Sequence, residues 1–87
     1  MKKLVVLGGG ESGIGAASLA KHNNWDVFVS DAGTLTADAK KEFEIIGVRY
    51  EEGGHSIEEI LKAELVVKSP GIPNTIAVIK KIEEAEI

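Results

Sequence analysis

Gly8, Gly10 and Gly13 stand in the order G-x-G-x-x-G, directly after a short apolar run and at the mouth of a stretch rich in small residues. Each glycine in such a turn has its own physical task. Gly8 permits a tight turn, Gly10 lets a ligand approach the backbone, and Gly13 lets a helix lie close to the preceding strand. Free N–H groups at the start of that helix, with its dipole behind them, favour a phosphate or diphosphate. The bland alternative is a purely structural strand–helix turn. Glu11 lies inside the loop, where a carboxylate suits the helix dipole but repels a diphosphate at short range. Either its side chain points away, or the phosphates sit on the backbone of Ser12 and Gly13.

Asp31 follows the glycine loop by about twenty residues, a spacing at which a carboxylate accepts hydrogen bonds from ribose hydroxyls or a base N–H. It equally suits a plain turn before Ala32 and Gly33. The spacing fits a nucleotide of nicotinamide or uridine type and does not choose between them. Ser69-Pro70-Gly71-Ile72-Pro73 is the third candidate. Two prolines stiffen this loop and Gly71 frees its backbone for close approach, although a rigid connector has the same composition. His22 reads as a surface residue in a helix-to-strand turn, and His55 as a loop or N′ position ahead of a helix cap. Two isolated histidines give no metal-ligand spacing, and no nucleophile–base pair is legible. The charged runs Lys40, Lys41, Glu42, Glu44 and Lys80, Lys81, Glu83, Glu84 read as solvated helix faces.

The elements that must position these residues alternate between strand-length apolar runs and segments of helical period, the mark of a parallel α/β sheet. Lys3 to Leu7 is the first strand, Ser12 to Lys21 a helix whose Gly15, Ala16, Ala17 and Ala20 suit close packing, and Asp26 to Ser30 a second strand. Leu35, Ala39, Phe43 and Ile46 fall on one face of a second helix, with Thr34 or Thr36 as its cap and Gly47 as its left-handed stop. Val48 to Glu51 is a short third strand. Ser56 and Glu59 fit a capping box that opens a brief helix reaching about Leu61. Leu65 to Val67 is a fourth strand, and Ile76, Ile79 and Ile82 mark a last helix to about Ala85. Right-handed crossovers give a Rossmann-like open parallel sheet of order 3-2-1-4 with helices on both faces. That order sets residues 69–73 beside the glycine loop. The chain stops where a fifth strand would begin, which reads as the N-terminal fragment of something longer.

Eighty-seven residues, 44% of them hydrophobic, suffice for one domain over residues 1–87. There is no cysteine, so neither a disulfide framework nor a thiolate metal site is available. Fourteen acidic residues against ten basic ones give a net charge of −4. An acidic chain without a basic cluster is a poor partner for nucleic acid or an anionic membrane. Leu4 to Leu7, the longest apolar run, is far too short to span a bilayer. The expected compartment is the cytoplasm.

Three runs, Val5-Val6-Leu7-Gly8-Gly9-Gly10-Glu11-Ser12-Gly13, Val27-Phe28-Val29-Ser30-Asp31 and Val66-Val67-Lys68-Ser69-Pro70-Gly71-Ile72-Pro73, together resemble the N-terminal domain of the Mur ligases. The similarity covers essentially the whole chain, and Ser69 to Ile72 is most similar to the branch that adds D-glutamate. The resemblance implies a multidomain ATP-dependent enzyme of peptidoglycan synthesis whose first domain holds the UDP part of UDP-N-acetylmuramoyl-L-alanine. By the same resemblance Gly8, Gly10, Glu11, Ser12 and Gly13 carry the contacts of the glycine loop to the diphosphate. Asp31 and Ala32 would meet the uracil, and Gly71 would close the site from the fourth strand. The family often has a hydroxyl and a basic residue after the acid, where this chain has Ala32 and Gly33. ATP and Mg²⁺ would belong to a central domain, since no G-x-x-x-x-G-K-[ST] loop occurs here. The expected partners are therefore the UDP-linked substrate and the central and C-terminal domains, and the 87 residues alone are expected to be inert. Three other readings remain open at this point. One is a nicotinamide- or flavin-binding domain of an oxidoreductase, another the related branch that joins L-alanine to UDP-muramate. The last is a non-catalytic interaction module.

Overall fold

Short β-branched runs separated by helical segments have one economical arrangement, a parallel sheet covered by its own crossovers. The computed structural model, which describes residues 2–68, has that arrangement. In chain order the elements are β1 (Lys3–Leu7), α1 (Glu11–His22), β2 (Asp26–Ser30), α2 (Ala37–Ile46), β3 (Arg49–Glu51), α3 (Ile57–Ile60) and β4 (Leu65–Lys68). The strands are all parallel in the order β3-β2-β1-β4, as the alternation predicts. Val5 of β1 is flanked by Phe28 of β2 and Val66 of β4, and Phe28 in turn by Arg49 of β3. The loop at 69–73, with Gly71, and the helix expected from Ile76 lie outside the described residues. Among the described residues no helix is long and apolar enough to cross a membrane.

The strand pleat divides the core in two. Leu4, Val6, Val27 and Val29 face α1 and α2, meeting Ala17, Ala20, Leu35, Ala39 and Phe43. Val5, Leu7 and Phe28 face the other way, onto Ile60 and Ala63 beside α3. Helices therefore cover both faces. Both ends of α2 follow local chemistry. Thr36 caps it, its hydroxyl accepting from Ala39 N at 3.1 Å, and Gly47 ends it at φ 76°. Leu35 precedes the helix instead of lying in it, yet is buried with the rest of the stripe.

Three expectations are corrected. Gly15 does not mediate close packing, because a Cβ there would meet nothing within 4 Å. The capping box does not form. Ser56 occupies the N-cap without a side-chain cap bond, and its hydroxyl donates to Glu51 Oε1 at 2.6 Å. Glu59 does not reach back to the cap; it pairs with Lys3 of β1, whose ammonium also lies over the Phe28 ring. An ammonium offers a carboxylate more than one amide does, and a single-turn helix holds its first turn too loosely to compete. The charged face of α2 is not simply solvated either. Lys40 pairs with Glu52, and Glu44 accepts from the Tyr50 hydroxyl at 3.3 Å.

Gly13 carries the tightest packing in the molecule's described part. A Cβ built there would lie 1.9 Å from the Gly8 carbonyl oxygen, a backbone atom that cannot swing aside. Gly13→Ala should therefore destabilise the chain by about 1–3 kcal/mol, the usual range for overpacking. A urea titration reads this as a lowered midpoint at unchanged slope; a midpoint equal to wild type would show that α1 is free to move off the strand.

Candidate functional site

Three polypeptide segments meet at the C-terminal ends of β1 and β2: the glycine loop, the turn after β2 and the start of α2. Gly8 leaves β1 at φ 98°, a conformation that only glycine adopts without strain, and its N–H donates to Ser30 O at 2.8 Å. Gly9 is wedged against α2. A Cβ there would stand 2.1 Å from Leu35 Cδ2. Gly10 is the opposite case. It has ordinary extended backbone, with φ −77° and ψ −168°, and a Cβ would meet nothing within 4 Å. The open space that the sequence asks of it is there.

Gly10 is also the N-cap of α1, and it offers no side chain to the helix start. The first helical hydrogen bond runs from Ile14 N to Gly10 O at 2.9 Å, so the N–H groups of Glu11, Ser12 and Gly13 precede any intrahelical acceptor. They form a donor cluster at the positive end of a twelve-residue helix. Glu11 is the exposed first residue of α1, a position where its carboxylate is stabilised by the dipole.

Asp31 ties this loop to the sheet. Its Oδ2 accepts from Gly9 N and its Oδ1 from Gly33 N, both at 2.8 Å. The residue is thus a turn-former and a brace for the glycine loop at once. Next to it a cleft of about 470 Å³ opens between the loop and α2, bordered by Gly9, Gly10, Glu11, Asp31, Leu35 and Glu42 among others. Asp38 completes a set of four carboxylates around it, and among the described residues no lysine, arginine or histidine lines it. Such a cleft suits neutral donors, hydroxyls or ring N–H groups, and repels anions. Ala32 is exposed on the turn beyond Asp31. His22 is exposed at the end of α1, at the opposite end of the sheet, and His55 sits at N′ of α3.

Several residues at this rim escape a reading by motif. Gly9 occupies a variable position of the pattern, although three successive glycines are a signal that the backbone is crowded there. Ser30 ends an apolar strand and is fully buried, its hydroxyl donating to Glu51 Oε2 at 2.8 Å. Glu52 accepts from Leu35 N at 3.2 Å while pairing with Lys40, and so pins the wall of the cleft to the turn after β3. The Lys40 ammonium holds Glu52 below the usual carboxylate range, and Glu52 raises Lys40 in return. Among the described residues no three His, Asp or Glu side chains are grouped to hold a metal ion.

Glu51 accepts three hydrogen bonds, from the Ser30 hydroxyl and from the amide and hydroxyl of Ser56. Burial pushes its pKa up, but hydrogen bonds from the Ser56 hydroxyl and amide and from Ser30 outweigh burial and leave it below the ordinary 4.5. A depressed carboxylate stabilises the fold at pH values above its unfolded pKa, and that stability disappears as pH falls through the folded value. The urea midpoint of wild type should therefore exceed that of Glu51→Gln at neutral pH, with the gap narrowing below about pH 4.5. A gap independent of pH would show that Glu51 acts through shape and not through charge.

With this geometry in view, the chain can be set beside known proteins. The profile of the MurD N-terminal domain matches residues 3–78. The UDP-N-acetylmuramoylalanine--D-glutamate ligase of Bacteroides fragilis is 50% identical over 84 residues, 97% of this chain and 19% of that protein. The ligase of the same name from Cytophaga hutchinsonii is 46% identical over 86 residues, 99% of this chain and again 19% of the relative. The chain thus spans about a fifth of the length of these curated relatives. Among solved structures, the UDP-N-acetylmuramate:L-alanyl-gamma-D-glutamyl-meso-diaminopimelate ligase from Neisseria meningitides shares the fold. Its TM-score is 0.83 at 21% identity, covering all of this chain and 27% of that one. Sheet order, glycine loop and a profile running from β1 past the last described strand agree, and the chain belongs to the MurD N-terminal domain family.

Proposed function

We propose that this chain binds the UDP moiety of UDP-N-acetylmuramoyl-L-alanine, as the substrate-anchoring domain of a cytoplasmic ligase that adds D-glutamate in peptidoglycan synthesis. One observation carries the reading: open backbone at Gly10 and the amides of Glu11 to Gly13 lie directly beside a carboxylate-lined cleft. The two halves of a nucleoside diphosphate need these two environments. Phosphate oxygens take the helix-start amides, where the dipole favours them. The neutral nucleoside takes the cleft, where a carboxylate accepts from a ribose hydroxyl or a ring N–H. Each Asp31 oxygen holds one backbone amide and keeps capacity for a second donor. Glu11 limits how deep the diphosphate sits, so the phosphates stay at the loop while the base enters. The names of the curated relatives, ligases acting on UDP-N-acetylmuramoylalanine, supply the substrate class.

ATP and Mg²⁺ do not fit these residues. The chain has no G-x-x-x-x-G-K-[ST] run, and its own glycine loop, Gly8 to Gly13, carries Glu11 and no lysine. Nucleotide activation is therefore assigned to other domains of a parent enzyme, and the chain by itself should turn over no ATP.

An amide NMR titration tests the reading. UDP should shift the resonances of Gly10, Glu11, Gly13 and Asp31, and NAD⁺ should leave them in place. Shifts with NAD⁺ alone would replace the ligase reading by a dehydrogenase one, and silence with UDP would remove it. Gly10→Ser sharpens the test, because serine is a good N-cap and nothing obstructs its Cβ. Its folding stability should match or exceed wild type, while its hydroxyl competes for the same amides and UDP affinity falls roughly ten- to a hundredfold. Undiminished affinity in this variant would move the diphosphate away from the loop.

A further inference from the structure

A second cluster lies below the same rim, on the α3 face of the sheet. Ser30, with no exposed surface, has three polar neighbours: Glu51 Oε2 at 2.8 Å, His55 Nδ1 at 2.6 Å and Gly54 O at 3.5 Å. A serine hydroxyl carries one proton. The Glu51 carboxylate and the Gly54 carbonyl only accept, so that proton goes to Glu51, the nearer of the two. At 2.6 Å the remaining neighbour must donate, and His55 therefore carries hydrogen on Nδ1. Glu51 is held in turn by the Ser56 amide at 2.7 Å and the Ser56 hydroxyl at 2.6 Å, both donating to it. The proton order in the chain His55–Ser30–Glu51–Ser56 is thus fully determined by which groups lack a proton to give.

This chain lies at the Ser30–Asp31 step, to which the glycine loop is hydrogen-bonded. Gly8 N donates to Ser30 O, and Gly9 N to Asp31 Oδ2. The backbone around Ser30 and Asp31 is further tied by Asp31 N to Glu51 O at 3.1 Å and Gly54 N to Asp31 O at 3.3 Å. We propose that Ser30 is a positioning residue: its buried hydroxyl locks His55 in the Nδ1–H form and, through Glu51 and His55, holds the Ser30–Asp31 step so that the glycine loop presents its amides in register. The part of this inference that concerns nucleotide affinity rests on the function proposed above; the tautomer and the loop position do not.

Ligand-free spectra of the chain decide those two first. Long-range ¹H–¹⁵N correlation at a pH where imidazole is neutral should show His55 protonated at Nδ1 and bare at Nε2. Ser30→Ala should release the ring toward the Nε2–H form that free histidine favours, and shift the amides of Gly8 and Gly9. His55→Ala removes the same donor from a partly exposed site, so it reads the loop shift even where Ser30→Ala fails to fold. Ser30→Thr, which keeps a hydroxyl, should restore the Nδ1–H signal. An Nε2–H ring in wild type overturns the inference, as do Gly8 and Gly9 amides unmoved in both the serine-to-alanine and histidine-to-alanine variants. With UDP, His55→Ala should bind roughly three- to tenfold more weakly than wild type, the range for one lost neutral hydrogen bond. Equal binding by both proteins overturns the positioning role, whereas a wild type that ignores UDP overturns the proposed function and leaves the ligand-free result standing.

Discussion

The approach of α1 to the end of β1 is the constraint from which the rest of the rim follows. With the Gly8 carbonyl where a Cβ of residue 13 would be, the helix can start only if residue 13 lacks a side chain, while Gly8 is required by its own φ of 98°. Leu35, ahead of α2, crowds Gly9 from another side, and a Cβ on Gly10 would meet only open space. A loop so stripped of side chains has nothing but backbone with which to attach itself or to bind. It attaches through Gly8 N and Gly9 N, to Ser30 and Asp31, and the amides at the start of α1 are left ahead of any intrahelical acceptor. The open amides and the close packing are two results of one steric fact.

Electrostatics then divides the rim. Helix-start amides supply a compact positive pole, whereas the adjoining cleft is bounded by Glu11, Asp31, Asp38 and Glu42. Among the described residues no lysine, arginine or histidine lines this cleft. Lys40 is engaged by Glu52, and Lys3 by Glu59, where Arg49 also approaches over the Phe28 ring. Pairs at such exposure add little stability singly. Their effect here is positional, pinning the wall of the cleft to the turn after β3 on one face and α3 to the sheet on the other.

Much of the architecture is legible without coordinates because it depends on local periodicity. The boundaries of the first two strands, a threonine cap at 34 or 36, Gly47 as a stop and the order 3-2-1-4 all follow from residue types within a few positions of each other, together with crossover handedness; the structure chose Thr36. Local rules fail where a distant partner offers more. Glu59 leaves its cap for Lys3, fifty-six residues away, and Ser56 turns to Glu51. Gly15 resembles its small neighbours in the sequence but points to open space, since a helix packs through one stripe only.

For the site, the sequence alone determined the identities that steric and dipolar chemistry demands: glycines at 8, 10 and 13 around a strand–helix turn, and a carboxylate at the end of the second strand. Gly8 answers to its own backbone conformation and Gly13 to the close approach of the helix it opens, both encoded within six residues. Only the tertiary structure decided that Asp31 braces Gly9, that four carboxylates share one cleft, and that Ser30, Glu51 and His55 close into one hydrogen-bonded chain. Gly9 and Asp31 lie 22 residues apart, and Ser30 lies 21 from Glu51 and 25 from His55, so no periodicity or motif spacing registers these contacts; the parallel pairing of β2 with β1 and β3 brings them together.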